Sequence, residues 1–158
     1  MNCRATKAPD EIMIRTTEVE RIINLRWTIL RAGLPREAAN FDGDHEPTTH
    51  HFAAFSNDDV VACATFLRNS YENEPAWQLR GMAVNEGFQG TGLGSRLLEF
   101  AEGFILPQGY SNLLWCNARL PAERFYVRMG WRTVSEPFEI PDAPLHVKMI
   151  KRCAPSVR

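Results

Sequence analysis

Cysteine is scarce and scattered in this sequence. The 158 residues contain Cys3, Cys63, Cys116 and Cys153, which lie far apart and form no Cys-x-x-Cys pair. Cys63 and Cys116 are inside apolar stretches, where a thiol packs as a small hydrophobic group. A zinc site or a disulfide framework needs clustered or regularly spaced cysteines. The sequence therefore predicts neither.

Long apolar runs and an excess of charge are also missing. No run approaches the roughly 20 apolar residues that cross a bilayer, and the first residues lack the charged start and apolar core of a signal peptide. The 18 basic and 19 acidic residues give a formal net charge of −1, so there is no reason to expect nucleic acid or an anionic membrane as a partner. We expect one cytoplasmic domain, residues 12–152, between a flexible N-terminus (1–11) and a tail (153–158).

A glycine-rich turn lies between a predicted strand and a predicted helix. Leu79–Val84 is apolar enough for a buried strand, and the helix after the turn has apolar residues at helical spacing from Leu97 to Ile105. The turn contains Gly90-x-Gly92-x-Gly94, whose backbone can take positive φ and come close to a ligand. The first turn of a helix adds unpaired N–H donors and a partial positive charge. This arrangement predicts a cradle for a phosphate or pyrophosphate.

Two other nucleotide-binding motifs compete with this interpretation. The dinucleotide fingerprint Gly-x-Gly-x-x-Gly opens a βαβ unit and has an acidic residue about twenty positions on. Here Ser95 stands where its last glycine belongs, and two hairpin-like strands precede the loop. A P-loop is excluded because no Gly-Lys-Ser/Thr follows the glycines.

The motif Gln89-x-x-Gly92-x-Gly94 resembles the acetyl-CoA pyrophosphate loop of the GNAT acyltransferase superfamily. A second match lies downstream, where the strand 113–118 is followed by a short helix containing Tyr126 and ending at Gly130-Trp131. The resemblance implies an α/β (α+β) domain with a mixed, mostly antiparallel sheet and helices on both faces. It also implies direct acetyl transfer from acetyl-CoA to a primary amine of a small molecule or peptide, and leaves a homodimer open. A non-catalytic CoA-binding module is the alternative.

The resemblance also assigns residues to the donor. The backbone of Met82, Ala83 and Val84 would pair with the pantetheine arm as an added strand does. Asn117 would contact the same arm, or else cap the following helix. Arg96 either adds a phosphate contact or lies on a solvated helix face. The pyrophosphate would be held by Gln89, Gly90, Thr91, Gly92, Leu93, Gly94 and Ser95.

Two catalytic candidates follow. The position of Tyr126 matches that of the general acid of the family, which protonates the departing thiolate; its alternative is a core tyrosine. His146 could accept a proton near neutral pH, although most lone histidines on strands are structural, and the sequence identifies no definite base. His50 and His51 are adjacent on a strand and point to opposite sides, so a shared metal site with His45 is not expected.

Local sequence signals predict the secondary structure of the remaining segments. Thr17-x-x-Glu20 is a capping-box pattern, and Val19, Ile22, Ile23, Trp27 and Leu30 recur on one helical face. The apolar segments 51–55 and 60–67, which are separated by the polar turn 56–59, predict an antiparallel hairpin. The family resemblance implies that two loops, 35–49 and 137–144, lie over the acceptor site. The predicted strands are 12–15, 51–55, 60–67, 131–135 and 145–150, and the short helix is 121–129.

Overall fold

The computed structural model describes residues 11–155, and its centre is a seven-stranded sheet. The strand order is β1-β2-β3-β4-β5-β7-β6. Neighbours are antiparallel except β4 and β5, which are parallel. The predicted mixed, mostly antiparallel sheet is confirmed. The strands are β1 (Ile12–Thr17), β2 (His50–Ser56), β3 (Asp59–Arg68), β4 (Trp77–Val84), β5 (Leu113–Arg119), β6 (Arg132–Thr133) and β7 (His146–Arg152).

Helices cover both faces of the sheet because β2 and β3 are apolar on both sides. Phe52 and Ala54 pack on the face covered by α2 (Leu93–Ile105), whereas Ala53 and Phe55 pack on the face covered by α1 (Ile23–Leu30). Burying each large apolar side chain contributes about 1.5–3 kcal/mol. The third helix, α3 (Glu123–Arg128), lies on the α2 side.

The start of α1 differs from the capping-box prediction. Thr17 is the last residue of β1 and pairs with His51 of β2. A 3-10 turn, Val19–Arg21, follows, and no side chain caps it or α1. The β-branched Thr17 completes the strand ladder, so it is not available as a helix cap.

The buried face of α1 was predicted correctly for Ile22 and Ile23 but not for Trp27. Trp27 is 36% exposed and donates its indole N–H to the carbonyl of Leu34, whereas Arg26 is completely buried. An arginine at this position could not be expected inside from hydrophobic periodicity alone. Its partners are Ala39 and Asp44 in the loop between α1 and β2 and Thr65 of β3.

Several elements are shorter than the sequence predicts. Pro121 sits in a 3-10 turn, Leu120–Ala122, and α3 begins only after it. The strand β6 has only two residues, which pair with Ile150 and Met149 of β7. Further 3-10 turns occur at Arg36–Ala39, Glu86–Phe88 and Leu106–Gln108.

Some predictions concern features outside this framework. Those for residues 1–10 and 156–158, and for Cys3, lie outside the described residues. Cys63 and Cys116 are buried, as predicted. Between residues 11 and 155, none of the helices has the length and apolar character to cross a membrane. In the same part of the chain no group of His, Cys, Asp or Glu is arranged to hold a metal ion.

Candidate active site

The parallel strands β4 and β5 separate after three residue pairs. Trp77, Gln78 and Leu79 pair with Leu114, Trp115 and Cys116. Beyond them β4 continues alongside β3 as far as Val84, and β5 continues alongside β7 as far as Arg119. The second half of β4 therefore has an edge whose backbone groups are not paired with β5.

A bulge at Gly81 turns the end of β4. Its φ is +61°, and the register with β3 shifts at this point. A Cβ on Gly81 would lie 2.7 Å from Nε of Arg26 and 3.0 Å from the ring of Phe41. Both the backbone conformation and the space require glycine. A glycine inside an apolar strand is the sequence signal that could have predicted this bulge.

A cleft of about 590 Å³ opens beside this free edge. It contains nine of the residues predicted to bind the donor. Thr91 is not among them, since its exposed hydroxyl donates to the carbonyl of Phe88, and Arg96 is exposed on α2 and does not line the cleft either. The cleft is lined by Ile29, Met82, Ala83, Val84, Phe88, Gln89, Gly90, Gly92, Leu93, Gly94, Ser95, Ala122, Phe125, Tyr126 and Arg128.

The glycine-rich turn exposes backbone amides at one end of this cleft. Gly92 precedes α2 with a φ of +83°, and no side chain caps the helix. The N–H groups of the first turn are therefore available to an anion. Gln89 donates its side-chain amide to the carbonyl of Val84 over 3.0 Å, which ties the turn to the end of β4.

A second cavity of about 230 Å³ lies on the other side of the strand opening. Met82, Ala122 and Tyr126 line both spaces. They mark the point where the cleft and the cavity meet. The second cavity is lined by Leu30, Arg31, Phe41, Gln78, Leu79, Arg80, Gly81, Met82, Cys116, Asn117, Ala118, Arg119, Ala122, Tyr126, Ile140 and His146.

Tyr126 is held firmly at this junction. It is 7% exposed and packs against Phe125 and Trp131, whose ring centroids are 5.1 and 5.6 Å away. Its hydroxyl donates to Sδ of Met82 over 3.6 Å. A thioether sulfur is a weak hydrogen-bond acceptor, so an atom of a bound ligand can replace it. Burial, together with the nearby Cys116, raises the pKa of Tyr126 well above its usual value. The hydroxyl is therefore protonated at neutral pH and can serve as a proton donor.

His146 opens β7 and faces the second cavity. Its Nδ1 donates to the carbonyl of Pro144 over 2.6 Å, so the proton of a neutral ring is on Nδ1. Burial lowers the pKa of His146, and the charges of Arg119 and Arg31 lower it further. At neutral pH, Nε2 thus carries a lone pair, and it forms no hydrogen bond with residues 11–155.

Asn117 lies on β5 in the same cavity. The N-cap positions of the following 3-10 turn and of α3 are Arg119 and Ala122, and neither element has a side-chain cap, so the predicted alternative of a helix cap is wrong. Its Oδ1 is buried without a hydrogen-bond partner among residues 11–155. A buried polar atom of this kind is costly unless a ligand or water satisfies it.

The loop between α1 and β2 forms another wall of the second cavity through Phe41. Arg26 and Asp44 hold this loop by a buried, bidentate ion pair with N–O distances of 2.7 and 3.0 Å. Burial acts to raise the pKa of Asp44, but hydrogen bonds from Arg26 and from the Phe41 amide outweigh it and lower the pKa. The ring of Phe41 lies 4.3–5.2 Å from the guanidinium carbons of Arg26, Arg31 and Arg80.

The other polar candidates have structural partners. His51 donates through Nε2 to the carbonyl of Asp44, and its Nδ1 lies 2.8 Å from the hydroxyl of Thr65. His50 packs on the opposite side against Trp77 and Phe104, as the strand alternation predicted. Burial raises the pKa of the Cys116 thiol, which argues against a covalent acyl-cysteine intermediate.

Comparisons with known proteins agree with this geometry. A model of the acetyltransferase (GNAT) family matches residues 17–131. A curated relative, named the uncharacterized N-acetyltransferase YitI of Bacillus subtilis, is 32% identical over 141 residues, which are 87% of this chain and 94% of the relative.

Solved structures share the fold at lower identity. An aminoglycoside 6'-N-acetyltransferase complexed with coenzyme A is 14% identical at a TM-score of 0.72, over 92% of this chain and 99% of that one. A GNAT family acetyltransferase from Elizabethkingia anophelis with acetyl-CoA bound is 15% identical at a TM-score of 0.67, over 91% and 99%. The family match and the identity to the curated relative show that this chain belongs to the GNAT acetyltransferase family.

Proposed function

We propose that this protein transfers an acetyl group from acetyl-CoA directly to a primary amine of a small molecule or peptide. The observation that carries the proposal is the position of Tyr126, a buried and protonated hydroxyl that lines both the cleft beside β4 and the second cavity. Family membership and the structural neighbours with coenzyme A or acetyl-CoA bound support a CoA thioester as the donor.

The larger cleft suits the donor. The amides of the turn and of the first helical turn, 90–95, would bind the pyrophosphate, as helix N-termini bind anions generally. The free edge of β4 from Met82 to Val84 would hydrogen-bond the pantetheine arm as another strand does. This path leads the thioester from the turn towards Tyr126.

The second cavity suits the acceptor, and its residues suit the proton transfers. A neutral amine nitrogen attacks the thioester carbonyl, so that a C–N bond forms and the carbonyl electron pair moves to oxygen. The ammonium proton passes to Nε2 of His146 or to a water. As the tetrahedral intermediate collapses, the C–S bond breaks and the Tyr126 hydroxyl protonates the thiolate. The products are the N-acetyl amine and coenzyme A.

The test measures release of free thiol from acetyl-CoA with and without a panel of amines, with mass spectrometry of the acetylated product. Amine-dependent release supports the proposal. A protein that binds coenzyme A, shown by calorimetry, but acetylates no amine would instead be the alternative, a CoA-binding module. Propionyl-CoA and longer donors in the same assay define which acyl group is preferred.

A further inference from the structure

The charged residues that line the second cavity all carry the same sign. Arg31, Arg80 and Arg119 line it, and none of the sixteen lining residues within 11–155 is Asp or Glu. They come from the residue that follows α1, the middle of β4 and the end of β5, so the cluster could not be predicted from local sequence. Each side chain is only half-buried and can reach a ligand in the cavity.

The three guanidinium groups have neutral partners. Arg31 and Arg119 both donate to the carbonyl of Leu30, and Arg80 donates over 3.0 Å to the carbonyl of Asp42. Within residues 11–155, none of the three forms a salt bridge with a carboxylate. An arginine has five N–H donors, and these contacts use one on each side chain.

The nearest buried carboxylate is already neutralised. Asp44 is the bidentate partner of Arg26 and does not line the cavity. Burial lowers the pKa of Arg119, and the charge of Arg31 lowers it further. Burial also lowers the pKa of Arg80, and Arg26 and Arg31 act in the same direction, whereas Asp44 and Asp42 act against it. Mutual repulsion between the arginines, in a partly desolvated space, is relieved when an anion binds.

This positive charge is not explained by the donor. The pyrophosphate would lie at the glycine-rich turn, in a cleft whose own lining arginine is Arg128. Met82 and Tyr126 stand between that cleft and the second cavity. The cluster therefore faces the acceptor side.

We propose that the acceptor is a small amine that also carries an anionic group, a carboxylate or a phosphate, and that Arg31, Arg80 and Arg119 bind this group. The inference rests on the proposed acetyl transfer. A volume of about 230 Å³ is below the range of drug-sized ligand sites, which favours a molecule of amino-acid size. Polyamines and other polycations are disfavoured because like charges brought together cost several kcal/mol.

The same charges would help the chemistry. A nearby positive charge lowers the pKa of an amine, so the acceptor nitrogen more readily loses the proton that blocks attack. Burial lowers the pKa of His146, and the charges of Arg119 and Arg31 act in the same direction, which favours the neutral ring. The cluster thus binds the anionic end of the acceptor and favours the reactive form of the other end.

The experiment compares acceptors that differ only in the anionic group. The pairs are L-threonine against L-threoninamide and phosphoethanolamine against ethanolamine, with putrescine as a dication. The amide has the more acidic ammonium group, so intrinsic reactivity favours it, and a preference for the acid must come from the protein. We expect kcat/KM to favour the anionic member of at least one pair by about tenfold to a hundredfold, the effect of one charged hydrogen bond. The pair that responds distinguishes carboxylate from phosphate.

Variants locate the effect. Arg119→Gln and, separately, Arg31→Gln should lower the preference in kcat/KM for the anionic acceptor over its neutral partner by about tenfold or more. Arg36→Gln is the matched control, because Arg36 is exposed, does not line the cavity and, among residues 11–155, forms its side-chain hydrogen bond with Asn24. A thermal shift with coenzyme A confirms that each variant is folded.

Failure of this inference can be distinguished from failure of the proposed acetyl transfer. Equal or better turnover of neutral amines or putrescine, or an anion preference that survives both variants, overturns this inference and leaves acetyl transfer standing. If no amine turns over, calorimetry with the same pairs decides, with and without coenzyme A. Binding selective for the anionic member supports the inference while the proposed acetyl transfer fails, and unselective or absent binding overturns the inference as well.

Discussion

The donor cleft and the second cavity meet at Tyr126 but are built by different means. The cleft uses mostly backbone and apolar side chains from one continuous stretch, 82–95, together with α3. The cavity uses charged and polar side chains from α1, β4, β5, β7 and the loop that contains Phe41. Backbone recognition tolerates side-chain change, whereas side-chain recognition depends on each residue. One half of the site can therefore stay constant while the other is adapted to a new acceptor.

The largest expected effect is on the free energy of unfolding and concerns the loop that contains Phe41, a wall of the second cavity. Asp44→Ala leaves the buried Arg26 without its carboxylate, and breaking one member of such a pair costs about 3–5 kcal/mol. Urea unfolding measures the loss. Asp42→Ala, two residues away and exposed, is the control and should stay within about 0.5 kcal/mol of the original protein. A loss for Asp44→Ala no larger than for the control would mean that the ion pair does not anchor the loop.

The second effect concerns the donor side. Gly92→Val forces a β-branched residue into a φ of +83°, at the place where a pyrophosphate would approach. Protection by coenzyme A, about 2.7 kcal/mol at a hundredfold excess over Kd, should disappear in thermal unfolding. Gly103→Val makes the same change on an exposed part of α2 with open space around it, and should keep the protection. A Gly92→Val protein that folds and still responds to coenzyme A would refute the phosphate-binding role of the turn.

The third effect is at the junction. Tyr126→Phe removes only the hydroxyl, so kcat should fall by about a hundredfold, or about 2.7 kcal/mol of barrier. Stopped-flow thiol release measures the chemical step. Affinity for coenzyme A and the melting temperature should change little, because the ring still packs against Phe125 and Trp131. An unchanged rate for the chemical step would transfer the role of acid to solvent.

The smallest effect is on the acceptor side and depends on pH. His146 accepts a proton only when neutral, and its pKa is lowered by burial and by Arg119 and Arg31. Activity should therefore persist to a pH below 6.5, the usual value for histidine, and fall as the ring becomes protonated. His146→Gln should reduce kcat/KM about tenfold, or about 1.4 kcal/mol, and remove this acidic limb. The protonation of the acceptor amine is common to both proteins. An identical acidic limb in both would assign it to the amine.

The same contrast explains what the sequence could predict. Strand, turn and helix around Gly92 follow from local periodicity and glycine chemistry, and the parallel partner β5 follows from element order. Hydrophobic periodicity assigned Trp27 to the core and gave no sign of Arg26, because the carboxylate that makes burial of an arginine acceptable comes from another segment. Arg31, Arg80 and Arg119 meet only through the tertiary fold. The bulge at Gly81 was accessible from sequence, since a strand glycine is a known signal.

The opening between β4 and β5 affects the stiffness of the sheet. Within residues 11–155, strands β1–β4 and β5–β7 pair with each other at only three positions in the sheet, and the candidate active site lies where they separate. A thioester arm hydrogen-bonded along Met82–Val84 would bridge that opening. Each catalytic cycle would then make the sheet stiffer when the donor binds and more flexible when coenzyme A leaves. The bound donor would therefore contribute to the stability of the fold that binds it.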